Sequence, residues 1–147
     1  MKRTFPFLLL CIAISTASAK EPKPTAKSIL EFGGGDAPGT AKLTKFPYAR
    51  HLRSAVQMQD DGLGHLFRFT DSESFIGSGA ESHCIALRDL LRLWGDREFA
   101  RVLAAESPKV RSAVIAALDY TWPHPGWQPK EFPATYRLAK HNTNYRQ

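Results

Sequence analysis

Apolar side chains in the middle of the chain recur every three or four residues, which is the period of a helix that buries one face. Three successive stretches between residues 78 and 121 carry this pattern. Their apolar positions are Cys84, Leu87, Leu91 and Trp94 in the first, Phe99, Val102 and Leu103 in the second, and Val110, Ala113, Val114, Ala117 and Leu118 in the third. Because the links between the stretches are very short, the pattern predicts three helices that pack antiparallel on one another.

The residues that flank these stretches are of the kinds that start and end helices. Ser78 and Glu81 have the spacing of a capping box, in which each satisfies a backbone donor of the other. Gly95 suits the left-handed conformation past the end of the first helix, and Asp96 is placed to cap the second. The Ser-Pro pair at 107–108 predicts a cap and a first position for the third helix.

A fourth helix is predicted over residues 48–59, where Leu52 and Val56 lie four residues apart. The Asp-Asp-Gly-Leu-Gly sequence at 60–64 is expected to end this helix in a turn. Residues 65–70 alternate, with Phe67 and Phe69 on one side, and this alternation predicts a short strand.

The two ends of the chain lack a helical period. Residues 20–47 are rich in Lys, Pro, Gly and Thr and predict an extended, mobile arm. Three prolines interrupt residues 122–129, so this stretch cannot be a regular helix, while 133–140 can add a helical turn. We therefore expect a mainly α domain of three to four helices over 48–147, with a disordered N-terminal arm and an irregular Trp/Pro-rich tail from residue 122.

The first 19 residues have the features of a cleavable secretory signal peptide. Lys2 and Arg3 precede an apolar stretch over 5–14, and small residues end at Ala19, where we expect cleavage. The sequence thus predicts a periplasmic or extracellular protein, and it contains no apolar run long enough to span a membrane. Cleavage removes Cys11 and leaves Cys84 as a single thiol, which cannot form an intramolecular disulfide.

Composition and charge narrow the class of partner. The chain has 147 residues, 43% of them hydrophobic, and a formal net charge of +6, values that fit one soluble globular domain. The net charge is +4 over residues 20–53, −3 over 54–121 and +3 over 122–147. Basic ends can attract an acidic protein or envelope component, whereas export and the lack of a dense basic cluster argue against nucleic acid. The candidate binding residues are Trp122, Trp127, Lys130, Arg137 and Lys140.

Candidate catalytic chemistry is sparse. The sequence has no zinc-binding His-Glu-x-x-His helix, no Cys-x-x-Cys pair and no nucleophile elbow, and it indicates no metal or cofactor. Cys84, with His83 beside it, is the one weak candidate, since a thiol early in a helix can have a lowered pKa. The competing interpretation makes Cys84 a small apolar core residue. The five scattered histidines are expected to be solvated or at the edge of the core.

Residues 95–119 resemble the helical hairpin of HEAT-type repeat proteins, chiefly in the Pro-x-Val-Arg-x-Ala-Val sequence at 108–114. The resemblance covers one hairpin and implies a helical surface suited to protein contacts, without an activity. We therefore expect an exported, non-enzymatic protein that binds another protein or an envelope component through an α-hairpin surface. The alternatives are a small thiol- or His-dependent enzyme that uses Cys84, and a secreted protein inhibitor. The sequence indicates neither the partner nor the oligomeric state.

Overall fold

The computed structural model describes residues 22–73, 75–121 and 128–139. All regular structure in these ranges is helical, which confirms the mainly α prediction, and the expected signal peptide at 1–19 lies outside them. The helices are α1 (Ala26–Phe32), α2 (Ala37–Ala41), α3 (Tyr48–Val56), α4 (Asp60–Phe69), α5 (Gly77–Trp94), α6 (Asp96–Ala104), α7 (Pro108–Thr121), α8 (Gln128–Glu131) and α9 (Pro133–Arg137), with a 3-10 turn at Lys42–Thr44. Five of them, α3 to α7, have nine or more residues, so the described domain is larger than the three to four helices predicted.

The three helices predicted between residues 78 and 121 are present as α5, α6 and α7. Gly95 separates the first two with a φ of +80°, a value that favours glycine. Ser107 caps α7, since its hydroxyl oxygen accepts a hydrogen bond from the backbone N–H of Val110 at 3.3 Å. Every residue of the predicted apolar stripes is buried, apart from the half-buried Ala113, and the buried faces also include His83, Ala100 and Ile115.

The short strand predicted at 65–70 is wrong, because residues 65–69 belong to α4 and Thr70 follows its end. Leu63, Leu66 and Phe67 are buried on one side of this helix with the spacing of helical turns, three and four residues apart. Gly62, which suggested a turn, is instead the point of closest approach between α3 and α4. A β-carbon at Gly62 would lie 2.5 Å from the side chain of Ser54, so only glycine fits this crossing.

Two predicted helix caps also differ from the structure. α5 begins at Gly77 after Ile76, and no side chain caps it, so the capping box predicted from Ser78 is wrong. Asp96 does not cap α6. Its carboxylate accepts hydrogen bonds from the backbone N–H groups of Ala134 at 2.7 Å and Thr135 at 2.8 Å, so it caps α9 from another part of the chain.

Within the segment predicted as an extended arm, the structure describes residues 22–47 and finds two short helices and a 3-10 turn, joined by turns and coil. Its helices α1 and α2 are held by the buried side chains of Ile29, Ala37 and Ala41. Gly34, in the turn between them, has a φ of +78° and lies against the ring of Tyr48, where any side chain would collide. The apolar residues of this segment are too few to show a period, yet they are enough to dock two short helices.

The C-terminal part of the described chain is short but anchored. The turn of helix predicted within 133–140 is present as α9, which packs against α6 and α8. Residues 122–127, the main part of the predicted Trp/Pro-rich tail, lie outside the described residues. Within the described ranges, no helix combines the length and the apolar character needed to cross a membrane.

One core joins the helices. Its largest fully buried side chains include Tyr48, Phe67, Phe69 and Phe99. α3 pairs most closely with α4, and α7 pairs most closely with α5. The indole N–H of Trp94, near the end of α5, donates to the carbonyl oxygen of Ala55 at 2.9 Å and so fixes α5 to α3.

Candidate functional site

His83, one of the two candidate catalytic residues, lies at the centre of the core. Its side chain is fully buried. Its Nδ1 is 2.8 Å from the hydroxyl oxygen of Tyr48 on α3, and its Nε2 is 3.0 Å from Oγ1 of Thr70 at the end of α4. His83 therefore connects α5 to two other helices, and the expectation that it is solvated or at the edge of the core is wrong.

The hydroxyl of Thr70 determines which nitrogen of His83 carries the proton. It lies 3.3 Å from the carbonyl oxygen of Leu66 and donates its hydrogen there. The oxygen of Thr70 is then free to accept from Nε2–H, and Nδ1 accepts from the hydroxyl of Tyr48. Burial lowers the pKa of His83 to about 3, so the ring is neutral near pH 7. With both ring nitrogens engaged, His83 has a structural role.

Cys84 faces away from His83, because neighbouring residues on a helix point in directions about 100° apart. Its side chain is only 3% exposed. Burial raises the pKa of the thiol to about 11, above that of an ordinary cysteine, so the thiolate is scarce near neutral pH. The lowered pKa that a nucleophile at this position would need is not present, and Cys84 packs with Leu87 and Leu91 as an apolar residue.

A groove of about 660 Å³ runs between α5 and α7 over Cys84. Cys84 and Ala117 form its buried floor. The other residues that line it are Phe75, Gly77, Ser78, Ala80, Glu81, Ala113, Ala116 and Tyr120. Several of these side chains are small and apolar, and Glu81 is the only charged residue among those that the structure describes there.

One end of the groove is marked by a contact between its two walls. The hydroxyl of Tyr120, on α7, donates a hydrogen bond of 2.5 Å to the carboxylate of Glu81, on α5. This bond raises the pKa of the Tyr120 hydroxyl. The ring of Tyr120 is 64% exposed, and Ile76, just before α5, is 53% exposed, so large apolar surface borders the groove.

Of the predicted binding residues, the two that the structure describes, Lys130 and Arg137, do not line this groove. Lys130 is in α8 and Arg137 is in α9, and both are exposed. α9 packs against α6, and α8 packs against α9. Trp122, Trp127 and Lys140 lie outside the described residues.

Two further histidines, His51 on α3 and His65 on α4, meet although 14 positions separate them. Their ring centroids are 4.2 Å apart. The strand predicted at 65–70 gave no reason to expect this pair. A helical period over 60–69 would have placed His65 on the face of α4 that meets α3.

The described ranges contain no group of three or more His, Cys, Asp or Glu side chains arranged to hold a metal ion.

The resemblance of residues 95–119 to HEAT-type hairpins stays a prediction. No family model, curated protein or solved structure matches this chain.

Proposed function

We propose that this chain is a non-enzymatic binding protein whose groove between α5 and α7 receives an amphipathic helix of a partner protein. The apolar groove itself carries the proposal. Surface clefts of this kind accept helices whose apolar side chains are spaced three and four residues apart. The groove includes Ala113, Ala116 and Ala117 of the predicted α-hairpin surface, which agrees with the type of contact that the HEAT resemblance implies.

The small side chains in the groove favour a helix as the occupant. Ala113 and Ala117 lie one turn apart on the same face of α7, and Ala80 lies opposite them on α5. The distance between two packed helices depends on the side chains at their contact, so alanine allows a third helix to approach closely. Tyr120 and Ile76 then offer apolar contact at the rim.

Charge favours an occupant with a basic residue. Glu81 is exposed and carries the single negative charge in the lining of the described groove, while no lysine or arginine lies there. A lysine or arginine at the edge of the partner helix would meet this carboxylate, whereas an acidic helix would be repelled.

The alternative of a thiol- or His-dependent enzyme has less support. The thiol of Cys84 has a raised pKa, and the imidazole of His83 is used by Tyr48 and Thr70. Cys84 packs in the core and His83 bonds two neighbouring helices, so a reaction at either group would disturb the fold.

Binding of a designed amphipathic leucine–lysine peptide, followed by fluorescence anisotropy, tests the proposal. Ala116→Arg places a long charged side chain in the groove at an exposed position, and we expect it to weaken binding by at least about tenfold. Ala104→Arg, at an exposed position of α6, is the matched control and should bind as the unmodified protein does. Circular dichroism verifies that both variants remain folded.

Three outcomes would contradict this function. Equal weakening by Ala104→Arg would indicate general charge repulsion. Equal affinity for a leucine–glutamate peptide would remove the role of Glu81. Concentration-dependent dimerisation that Ala116→Arg abolishes would make a second copy of the chain the occupant.

Export is part of the same proposal and is tested separately. If residues 1–19 are a signal peptide, the protein recovered from the periplasm or medium of expressing cells begins at Lys20. N-terminal sequencing that finds Met1 in the recovered protein would contradict export by this route.

A further inference from the structure

A cleft of about 410 Å³ lies between α3 and α4 and shares no residue with the α5–α7 groove. The close crossing of the two helices at Gly62 and Ser54 forms its base. Its lining is polar and mainly basic, with Arg50, Arg53, His51 and His65 against one carboxylate, Asp61.

The two arginines of this cleft have no carboxylate partner within the described ranges. Two other arginines of the molecule show what a close carboxylate pair looks like. Arg68 donates to both carboxylate oxygens of Glu106, at 3.0 and 2.9 Å, and Arg101 donates to both oxygens of Asp60, at 2.7 and 2.8 Å. Arg50 and Arg53 are thus two exposed guanidinium groups, one helical turn apart, whose donors remain available to a ligand.

The two imidazoles beside them lie in a row of ring contacts that begins in the core. The ring of His51 lies between those of Phe46, with a centroid distance of 4.9 Å, and His65, at 4.2 Å. Phe46 in turn stacks on the buried Phe69 at 4.9 Å, so the core holds the histidines in place. Burial lowers the pKa of His51, and the nearby His65 and Arg50 lower it further.

We propose that this cleft binds the phosphoryl group of a small soluble molecule. Guanidinium groups match phosphate oxygens with paired N–H donors, and imidazole N–H groups can serve the remaining oxygen. A phosphate monoester offers three such oxygens and up to two charges, whereas a carboxylate offers two oxygens and one charge. The volume of the cleft leaves room for an organic part beside the phosphoryl group.

Titration with inorganic phosphate and with glycerol phosphate, followed by NMR of the imidazole carbons of His51 and His65, tests this site. We expect saturable shifts of both rings with either probe. Arg50→Gln and Arg53→Gln should each weaken binding by at least about tenfold, because each removes charge-assisted hydrogen bonds. Arg97→Gln, an exposed arginine of α6 with the same change of net charge, is the control and should leave affinity unchanged.

Each contrary result would overturn the assignment. Equal loss with Arg97→Gln would mean that phosphate screens the overall charge of the protein. Acetate binding as tightly as phosphate would exclude selection for a phosphoryl group. Binding to phosphatidylglycerol vesicles without binding to either soluble probe would place the ligand in a membrane. Ala116→Arg is expected to leave phosphate binding intact, so failure here is distinguishable from failure of the proposed groove.

Discussion

At the residue scale, His83 shows how a catalytic candidate can be a structural group. Its neutral ring accepts from Tyr48 and donates to Thr70, and both partners are buried. An unpaired buried donor or acceptor costs about 1–3 kcal/mol, so the three side chains stabilise the fold only as a set. The reactive appearance of the His-Cys pair at 83–84 results from its sequence alone.

The buried state of His83 predicts a loss of stability in mild acid. The pKa falls from 6.5 in the unfolded chain to about 3 in the folded one, so between these values the unfolded state binds the extra proton. The contribution of His83 to the unfolding free energy is therefore fully present above about pH 6.5. It decreases as the pH falls below that value, by up to about 1.4 kcal/mol per pH unit. His51, whose pKa is also lowered, acts in the same direction.

Urea unfolding measured at about pH 7.5 and about pH 5 checks this expectation, since carboxylates titrate mostly below that window. We expect a clearly lower midpoint at the acidic value. An unchanged midpoint would mean that His83 is accessible or charged in the folded protein.

Cys84 gives a second prediction at this scale. Because the thiol is buried and its pKa is raised to about 11, a thiol reagent should label the native protein slowly near neutral pH and rapidly after unfolding in urea. Mass spectrometry of the labelled protein follows both rates. Rapid labelling of the native protein would restore the nucleophile hypothesis.

The sequence could predict that Cys84 is an apolar core residue, because Cys84 lies on the apolar stripe of a single helix. The environment of His83 could not be predicted. Tyr48 is 35 positions away and Thr70 is 13 positions away, and both distances are closed only by tertiary packing. The same reason hid the contact between His51 and His65.

At the element scale, patterns within one helix were more informative than patterns at helix ends. α5, α6 and α7 were predictable because each has its own apolar period and a breaker residue nearby. α4 was missed because its glycines were interpreted as turn residues, whereas Gly62 serves the close crossing with α3. The predicted cap of α6 is wrong because Asp96 serves a helix almost 40 positions away, and α5 starts after Ile76 with no capping side chain.

The contact of Asp96 with α9 predicts a specific local effect. Asp96→Ala removes two charge-assisted hydrogen bonds to Ala134 and Thr135, and we expect a loss of about 1–2 kcal/mol in unfolding free energy. Asp60→Ala, which breaks an exposed ion pair with Arg101, is the control and should change stability much less.

Hydrogen exchange distinguishes this local effect from general destabilisation. In Asp96→Ala, the amides of Ala134 and Thr135 should lose more protection than those of the core helix α4. Uniform loss across the protein would contradict the capping role of Asp96.

At the scale of the whole molecule, the predicted hairpin at 95–119 depends on the rest of the chain. α6 has its main contacts with α9, α5 and α4, and α7 has its main contacts with α5 and α4. In a repeat array, neighbouring hairpins would cover such faces. Here the cover comes from helices of other sequence and length, including the short α9 that Asp96 anchors.

This arrangement predicts that a peptide of residues 95–121 does not fold alone. Separated from α4, α5 and α9, its apolar faces have no cover, and helices shorter than about 12–15 residues are only marginally stable in water. Circular dichroism should show little helix in the peptide and a cooperative helical signal in the full chain. If the peptide were strongly helical and melted cooperatively, the hairpin would be an independent folding unit, and the groove beside α7 would have to be assessed as part of that unit alone.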